Sequence, residues 1–295
     1  MTDYGRPVEF GLFPTPAAAD YRKLVDFARL AEDLGLDLIG IQDHPYQPRF
    51  LDTWSLLAAL AAQTERIRLF PDVANLPLRD PALMAKAAAT IDIISNGRFE
   101  LGLGAGTFWD AVWALGGPRR EPGEAFVALE EAIEVIRLMW SGERGLRYDG
   151  AHYELRGTHS GPPPAHPISI WLGAIGPRML RLTGRTADGW LPSSAFVPPE
   201  ELAEKQALID EAALEAGRQP SDIRRLYNVN GRITDGPTEG FLRGPASQWV
   251  EELTGLALDR GIDTFVFWPE DESEAQVRAF AAVATEVREH VAKAR

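Results

Sequence analysis

An adjacent carboxylate and imidazole, Asp43 and His44, follow the second apolar run of the chain and are candidates for proton chemistry. Imidazole titrates near neutrality, so the pair could bind the edge of a heterocycle and move a proton. The alternative is an aspartate that begins a loop, followed by a histidine on the surface. The Asp-His pair predicts a polar end of the strand, and both interpretations of its role remain open.

A second candidate is the loop 173–178, Gly-Ala-Ile-Gly-Pro-Arg, which leads directly into a predicted helix. Small residues followed by proline at the first helical position expose free N–H groups where the helix dipole is positive, and phosphate binds such an end. Arg178, Arg181 and Arg185 share one helix face, and a cation in the first turn opposes the dipole unless an anion lies there. A solvated basic face is the alternative.

Glycines alternate at Gly102, Gly104 and Gly106, directly before the run 107–110, Thr-Phe-Trp-Asp. Such a strand lets a planar ligand approach the backbone without a Cβ in the way, although close packing inside the protein would require the same residues. The preceding strand ends in 71–77, Pro-Asp-Val-Ala-Asn-Leu-Pro, where two prolines predict a rigid exit.

Composition excludes several classes of function. A net charge of −13 gives no broad positive field for nucleic acid or an anionic membrane surface, and the absence of Cys excludes thiolate chemistry and cysteine-ligated metals. The five His have no spacing typical of zinc ligands, and no Gly-x-Ser-x-Gly elbow or P-loop occurs. We expect no bound metal. The amino-terminal residues resemble no signal peptide and no apolar run is long enough to span a membrane, so a cytoplasmic location is expected.

These candidates must be positioned by secondary structure, and short β-branched or aromatic runs alternate along the chain with longer helical patterns. The predicted strands are Val8–Leu12, Leu36–Gln42, Ile67–Val73, Arg98–Gly102, Ile168–Gly173, Gly189–Pro192, Arg225–Ile233 and Thr264–Trp268. The predicted helices are Asp20–Leu34, Leu51–Thr64, Pro81–Ile94, Glu124–Ser141, Pro177–Thr186, Pro199–Ala216, Ala246–Arg260 and Glu272–Lys293.

Eight such units over 295 residues predict a single (β/α)₈ barrel domain, residues 1–295, with its site at the carboxyl ends of the strands. An insertion after the fourth helix, Gly142–Pro167, is expected to contain a small hairpin, because Asp149-Gly150 lies between aromatic residues. An open doubly wound sheet is the alternative fold. It would normally carry a Gly-x-Gly-x-x-Gly turn after its first strand, which this chain lacks.

Taken in order, these motifs resemble the luciferase-like monooxygenase superfamily, especially its F420-dependent branch, which includes methylene-tetrahydromethanopterin reductases. The resemblance extends over nearly the whole chain. Its marks are 32–37 leading to Asp43-His44, then Asp80-Pro81-Ala82, Thr90-Ile91-Asp92, 95–99 followed by 101–106, Gly176-Pro177-Arg178, and 187–190.

The resemblance implies that Asp43 and His44 lie beside a deazaflavin, where His44 could stabilise charge or relay a proton. It implies a non-prolyl cis peptide at Asp72-Val73, backing the ring together with Ala74 and Asn75, and it places Gly104 and Gly106 at the cofactor. It also implies that Gly173, Ala174, Ile175, Gly176, Pro177 and Arg178 hold the cofactor phosphate.

Departures from the sugar-phosphate dehydrogenase branch concern the substrate side. Thr107 stands where that branch has a catalytic Glu, Asp110 stands in place of an Asn, and the segment from Ser193 to Phe196 lacks a phosphate-binding Lys. A sugar phosphate is therefore not expected, and Trp109 and Phe196 suggest a more apolar substrate. Shielding of the surface or a dimer contact would explain these aromatic residues equally well.

The resulting hypothesis is an F420-dependent oxidoreductase that transfers a hydride to or from a small organic substrate, with the cofactor supplying the chemistry. A monooxygenase using reduced FMN and O₂ is the main alternative, and a non-catalytic flavin-binding barrel is the alternative from another class. The resemblance also implies a homodimer.

Overall fold

Strands and helices alternate along residues 4–295, the part of the chain that the computed structural model describes. The strands are β1 Glu9–Leu12, β2 Leu38–Ile41, β3 Arg68–Pro71, β4 Ala74–Asn75, β5 Leu101–Gly104, β6 Arg144–Asp149, β7 Glu154–His159, β8 Ile170–Leu172, β9 Gly189–Trp190, β10 Arg224–Ile233, β11 Arg243–Gly244 and β12 Thr264–Pro269. The helices are α1 Tyr21–Asp33, α2 Thr53–Ala61, α3 Pro81–Ser95, α4 Trp109–Ala114, α5 Pro122–Trp140, α6 Pro177–Thr186, α7 Leu202–Glu215, α8 Ala246–Arg260 and α9 Glu274–Ala294. No helix within residues 4–295 is long and apolar enough to cross a membrane.

The parallel strands form a barrel in the order β3-β2-β1-β12-β10-β9-β8-β5-β4. Its wall closes between β3 and the start of β5, where Leu69 N–H donates to Arg98 O at 2.8 Å and Glu100 N–H donates to Leu69 O at 2.9 Å. The predicted (β/α)₈ architecture is confirmed. Because all these strands run in the same direction, their carboxyl ends form one rim of the barrel.

The third barrel strand is divided, although the sequence predicts one strand over 67–73. Its first half, β3, pairs with β2, and its second half, β4, pairs with β5. The peptide bond between Asp72 and Val73, which joins the halves, is cis, as the resemblance implied. The chain therefore changes its sheet neighbour at these two residues.

The fourth barrel strand begins three residues later than predicted, at Leu101 and not at Arg98. The residues before it meet β3 only at one bridge, between Phe99 and Leu69. Arg98 is buried because its guanidinium donates to carbonyl groups at the ends of neighbouring helices. Arg98 therefore lies outside the regular strand, at the point where the barrel closes.

Side chains from strands on all sides meet in the barrel interior. Leu38, Phe70, Trp171, Leu226 and Val266 pack together and are buried, although they come from β2, β3, β8, β10 and β12. Residues next to them along the strands face the helices and join the larger outer core. The interior is thus a packed floor beneath the rim.

The predicted insertion contains the expected hairpin, in which β6 and β7 pair antiparallel. Its turn is held by a hydrogen bond of 3.0 Å from Gly150 N–H to Tyr153 O. A short helix, α4, was not predicted. Its six residues follow the glycine-rich end of β5 and are too few to show a helical period.

Candidate functional site

Asp43 lies at the end of β2 and is almost completely buried, with 2% of its surface exposed. Its Oδ2 accepts from Asn75 N–H at 3.0 Å, from Arg79 Nε at 3.1 Å and from Trp54 Nε1 at 3.3 Å, and its Oδ1 accepts from Arg79 Nη2 at 3.3 Å. Both oxygens are thus engaged. Asp43 therefore fixes the loop after β2 to the exit of β4.

His44 is half-buried at the rim. Its Nδ1 lies 2.8 Å from the Tyr46 hydroxyl, and its ring lies 5.6 Å from that of Phe108, between centroids. Burial lowers the pKa of His44, and the neighbouring Asp43 opposes this effect. The imidazole is therefore neutral at physiological pH.

Below the rim, Asp72 forms a polar link across the barrel interior. Asn228 Nδ2, from β10, donates to Asp72 Oδ1 at 3.0 Å and lies 3.0 Å from Ser193 Oγ. Burial raises the pKa of Asp72 to about 7, and the hydrogen bond from Asn228 works against that rise. Asp72 is consequently poised between its neutral and charged forms near neutral pH.

Three buried polar atoms around this link have no hydrogen-bonding partner among residues 4–295: Asp72 Oδ2, Asn75 Oδ1 and Asn228 Oδ1. Buried polar groups in folded proteins are nearly always paired, because an unpaired one costs free energy. All three atoms are oxygens that accept hydrogen bonds. Asp72 Oδ2 could also donate one if the carboxyl group is protonated. A ligand that brings N–H or O–H groups to the rim would satisfy them.

The glycines of β5 allow the strand to approach the segment 71–73. A Cβ on Gly102 would lie 2.2 Å from Pro71 O, and one on Gly104 would lie 2.7 Å from Val73 Cγ2. At Gly106 the φ angle is +107°, which favours glycine whatever the surroundings. The geometry supports the packing interpretation of Gly104, because its missing side chain makes room for protein atoms.

The loop after β8 has the features of a phosphate cradle. Gly173, Ile175 and Gly176 are exposed, and α6 begins directly afterwards with Pro177 and no side-chain cap within the described chain. Buried Ala174 anchors the loop, since its carbonyl accepts from Trp190 Nε1 at 2.9 Å. The first N–H groups of α6 are thus available to an anion.

The three arginines of α6 differ in their surroundings. Arg181 pairs with Glu211 at 2.8 Å and Arg185 with Glu130 at 3.4 Å, so these two link α6 to neighbouring helices. The guanidinium carbon of Arg178 lies 4.4 Å from the centroid of the Phe126 ring. No carboxylate within residues 4–295 is in ion-pair distance of Arg178, which leaves it as the cation of the first turn.

Comparison with known proteins identifies the family of this chain. Residues 7–239 match the family described as luciferase-like monooxygenase. The chain belongs to this family. It is 32% identical over 232 residues to an F420-dependent glucose-6-phosphate dehydrogenase of Microbacterium testaceum, covering 76% of this chain and 68% of that protein. It is 36% identical over 200 residues to a 5,10-methylenetetrahydromethanopterin reductase of Archaeoglobus fulgidus, covering 67% and 56% respectively.

The luciferase-like fold is also seen in a solved structure. An F420-dependent secondary alcohol dehydrogenase in complex with an F420-acetone adduct superposes with a TM-score of 0.85 at 17% identity, covering 95% of this chain and 99% of that one. At such low identity the likeness shows the fold alone. The family resemblance expected from the sequence motifs is confirmed by the relatives.

The predicted substrate-side residues of this luciferase-like protein differ in their exposure and in their partners. Asp110 is exposed and pairs with Arg119. Thr107 and Phe196 are exposed, Trp109 begins α4, and Ser193 joins the Asn228 network. Thr107, Trp109 and Phe196 thus remain the candidates for substrate contact.

Sequence reasoning missed four residues of this luciferase-like site: Tyr46, Arg79, Phe108 and Asn228. Asn228 alternates with Asn230 in the otherwise apolar stretch of β10, and polar residues two apart inside a buried strand could have indicated an interior polar layer. Arg79 has no such signal, because its partner Asp43 is 36 residues away in the chain.

Proposed function

We propose that this protein is an oxidoreductase that binds the deazaflavin cofactor F420 and transfers a hydride between it and a small, largely apolar organic substrate. The observation that carries the proposal is the group of unpaired acceptors on Asp72, Asn75 and Asn228, next to an open helix amino terminus. The relatives at 32% and 36% identity, named as a dehydrogenase and a reductase, support an oxidoreductase, and the name of the dehydrogenase states that it depends on F420.

The ring of the cofactor would lie over Asp72 and Val73, where a heterocycle with N–H groups could pair with the free acceptors. Its phosphate would lie at residues 173–176 and the start of α6, within reach of Arg178. Bound in this way, the deazaflavin would supply the hydride chemistry. The protein supplies position, exclusion of water and electrostatics.

Residues of the chain itself would orient the substrate at the rim. His44 is held neutral by burial and contributes a hydrogen bond, while Asp43 positions the loop that carries it. Phe108 and Phe196 offer apolar surface, since 54% and 63% of these residues are exposed. An apolar substrate would cover this surface and displace water from it.

Cofactor choice is tested by titrating the purified protein with F420 and with FMN and following the absorbance or fluorescence of each. We expect tight binding of F420 and weaker binding of FMN. Tight FMN binding without measurable F420 binding would favour the FMN monooxygenase alternative. Full F420 binding with no hydride transfer to any aldehyde, ketone or conjugated acceptor would favour a non-catalytic barrel.

The phosphate cradle predicts a specific effect of Arg178→Ala. This substitution should weaken F420 binding by about 1–3 kcal/mol, because it removes a charge-assisted hydrogen bond to the phosphate. Arg181→Ala is the matched control, since that arginine on the same helix already pairs with Glu211. Equal affinities of both variants and the wild type would mean that Arg178 is only part of a solvated basic face.

Homodimer formation and a cytoplasmic location remain predictions. Sedimentation of the purified protein would test the first of them.

A further inference from the structure

His44 has its two ring nitrogens in different environments. Nδ1 lies 2.8 Å from the Tyr46 hydroxyl. Nε2 has no hydrogen-bonding partner among the residues that the structure describes, and it lies at the rim of the barrel. The ring is also restrained by its neighbours, because the rings of Tyr46 and Phe108 lie at 5.3 and 5.6 Å between centroids.

The chemistry of the two groups decides which one donates. Burial raises the pKa of Tyr46 to about 12, with Asp43 adding to the rise, and burial lowers the pKa of His44. The hydroxyl therefore keeps its proton and the imidazole is neutral near pH 7. An unprotonated imidazole nitrogen is a good acceptor, whereas the lone pair of a phenol oxygen is delocalised into its ring, so the O–H donates to Nδ1.

A neutral imidazole carries one proton, and occupation of Nδ1 as an acceptor places it on Nε2. We propose that Tyr46 is a positioning residue that holds His44 in the Nε2–H form, so that His44 presents a hydrogen-bond donor to the candidate site. This inference rests on the proposed function in one respect only, which is the identity of the group that accepts the hydrogen bond from Nε2–H. The state of the ring itself is independent of any cofactor.

A donor at this position favours a particular class of substrate. An Nε2–H group binds an atom with a free lone pair that gains negative charge as a hydride arrives, such as the carbonyl oxygen of an aldehyde or ketone. In that step reduced F420 is oxidised by loss of the hydride to the carbonyl carbon, and the resulting alkoxide takes its proton from water while His44 keeps its Nε2–H. It cannot, in this form, take a proton from an alcohol. The inference thus assigns His44 the role of a charge-stabilising donor toward carbonyl compounds, in place of a general base.

Nitrogen NMR of the protein without cofactor, labelled with ¹⁵N-histidine, tests the tautomer directly. The His44 signals are assigned by their loss in His44→Gln. We expect the wild type to show a protonated Nε2 and an unprotonated, hydrogen-bonded Nδ1 at pH 7. A protonated Nδ1 in the wild type would overturn the proposal, and the His44→Gln variant serves only to assign the signals.

Tyr46→Phe removes the hydroxyl and retains the ring. We expect the two tautomers of His44 to mix and its titration midpoint to rise by roughly half a pH unit or more, because the lost hydrogen bond favours the neutral ring. The charged group that faces His44 among the described residues, Asp43, remains paired with Arg79 in this variant. Tyr21→Phe, remote on α1, should leave both the tautomer and the midpoint unchanged.

An unaltered tautomer and midpoint in folded Tyr46→Phe would also refute the positioning role. These outcomes are separable from a failure of the proposed function. If the protein binds no F420 but shows the predicted tautomer, the inference about His44 stands and the proposed function fails. If it binds F420 but shows a protonated Nδ1, the inference about His44 is refuted and the proposed function stands. The substrate class is then tested with reduced F420 and a ketone acceptor, for which kcat should fall in His44→Gln while the affinity for F420 is retained.

Discussion

His166 lies at the end of the barrel opposite the candidate site, between two carboxylates. Its Nδ1 is 2.7 Å from Asp92 Oδ1 and its Nε2 is 3.7 Å from Glu100 Oε1. Glu100 raises the pKa of His166 most, partial burial lowers it, and Asp92 adds to the rise, so the net change is upward. A pKa that is higher in the folded than in the unfolded chain means that protonation of His166 stabilises the fold.

The sign of this effect gives a pH-dependent prediction. The stabilisation by His166 should be fully present below the unfolded pKa of about 6.5 and lost as the pH rises through the higher folded pKa. His166→Gln should therefore cost about 1 kcal/mol more in free energy of unfolding at pH 6 than at pH 9. Urea unfolding at both pH values measures it, with exposed His290→Gln on α9 as the control. An equal cost at both pH values would contradict the ion-pair role.

Individual site residues were predictable where a local motif carries them. Asp43, His44 and the loop 173–178 were singled out as candidates because their chemistry is visible in adjacent residues. The engagement of Asp43 with Arg79 and the link between Asp72 and Asn228 depend on side chains 36 and 156 residues apart. Spacing along the chain carries no information on such contacts.

Glu131 connects the hairpin of β6 and β7 to the helix α5. Its carboxylate accepts from the backbone N–H groups of Ala151, His152 and Tyr153 at 2.6, 2.8 and 3.1 Å. A Cβ on Gly150 would lie 2.5 Å from Glu131 Oε2. The glycine of the Asp-Gly pair is thus required for the approach of this carboxylate, in addition to any turn preference.

Glu131→Gln should loosen the hairpin without unfolding the barrel. An amide side chain offers one acceptor oxygen in place of two charged ones, so at least one N–H of the turn loses its partner. We expect amide hydrogen exchange of residues 150–153 to accelerate at least tenfold, while the barrel strands keep their protection. The exposed Glu251→Gln on α8 is the control. Equal acceleration throughout the chain would indicate global destabilisation instead.

Helices and strands could be predicted from the sequence where the hydrophobic pattern is long. Helices such as α1, with its apolar face and the turn at Gly35, and the alternation of strands and helices could be recognised because the buried faces repeat over three or more turns. For the third strand, the family resemblance implied the cis peptide bond, whereas the division into two halves was not predicted. The division depends on which neighbouring strand each half pairs with, and the sequence of one strand does not indicate its pairing partner.

Closure of the whole barrel depends on Arg98, which is buried at the junction of β3 and β5. Its guanidinium donates to the carbonyl oxygens of Ser95, Ile67, Ala61 and Thr64 at 2.7, 2.6, 2.9 and 2.8 Å. It thereby joins the ends of α2 and α3 to the first strand residues beyond them. Ala61 and Ser95 are the last residues of α2 and α3, and the final carbonyl groups of a helix have no donor within that helix.

Arg98→Met should lower the free energy of unfolding by about 3 kcal/mol or more, since several buried carbonyl groups would lose their donor at once. Thermal or urea unfolding measures this loss for the whole protein, with Arg22→Met, exposed on α1, as the control. A change below about 1 kcal/mol would show that water replaces the guanidinium. Binding of F420 at low temperature should be unaffected, because Arg98 lies at the opposite end from the rim.

The close approach of Gly102 and Gly104 to the segment 71–73 has a consequence for how this protein could acquire a new substrate. A Cβ at Gly102 would collide with the backbone oxygen of Pro71 and one at Gly104 with the side chain of Val73, so a larger residue at either position requires the segment 71–73 to shift. Phe108, Trp113 and Phe196 are each more than half exposed, and replacements there leave the buried core intact, although at Phe108 they also change the contacts with the rings of His44 and Tyr46. A mutant library aimed at new specificities should therefore randomise these three aromatic codons and keep both glycine codons fixed.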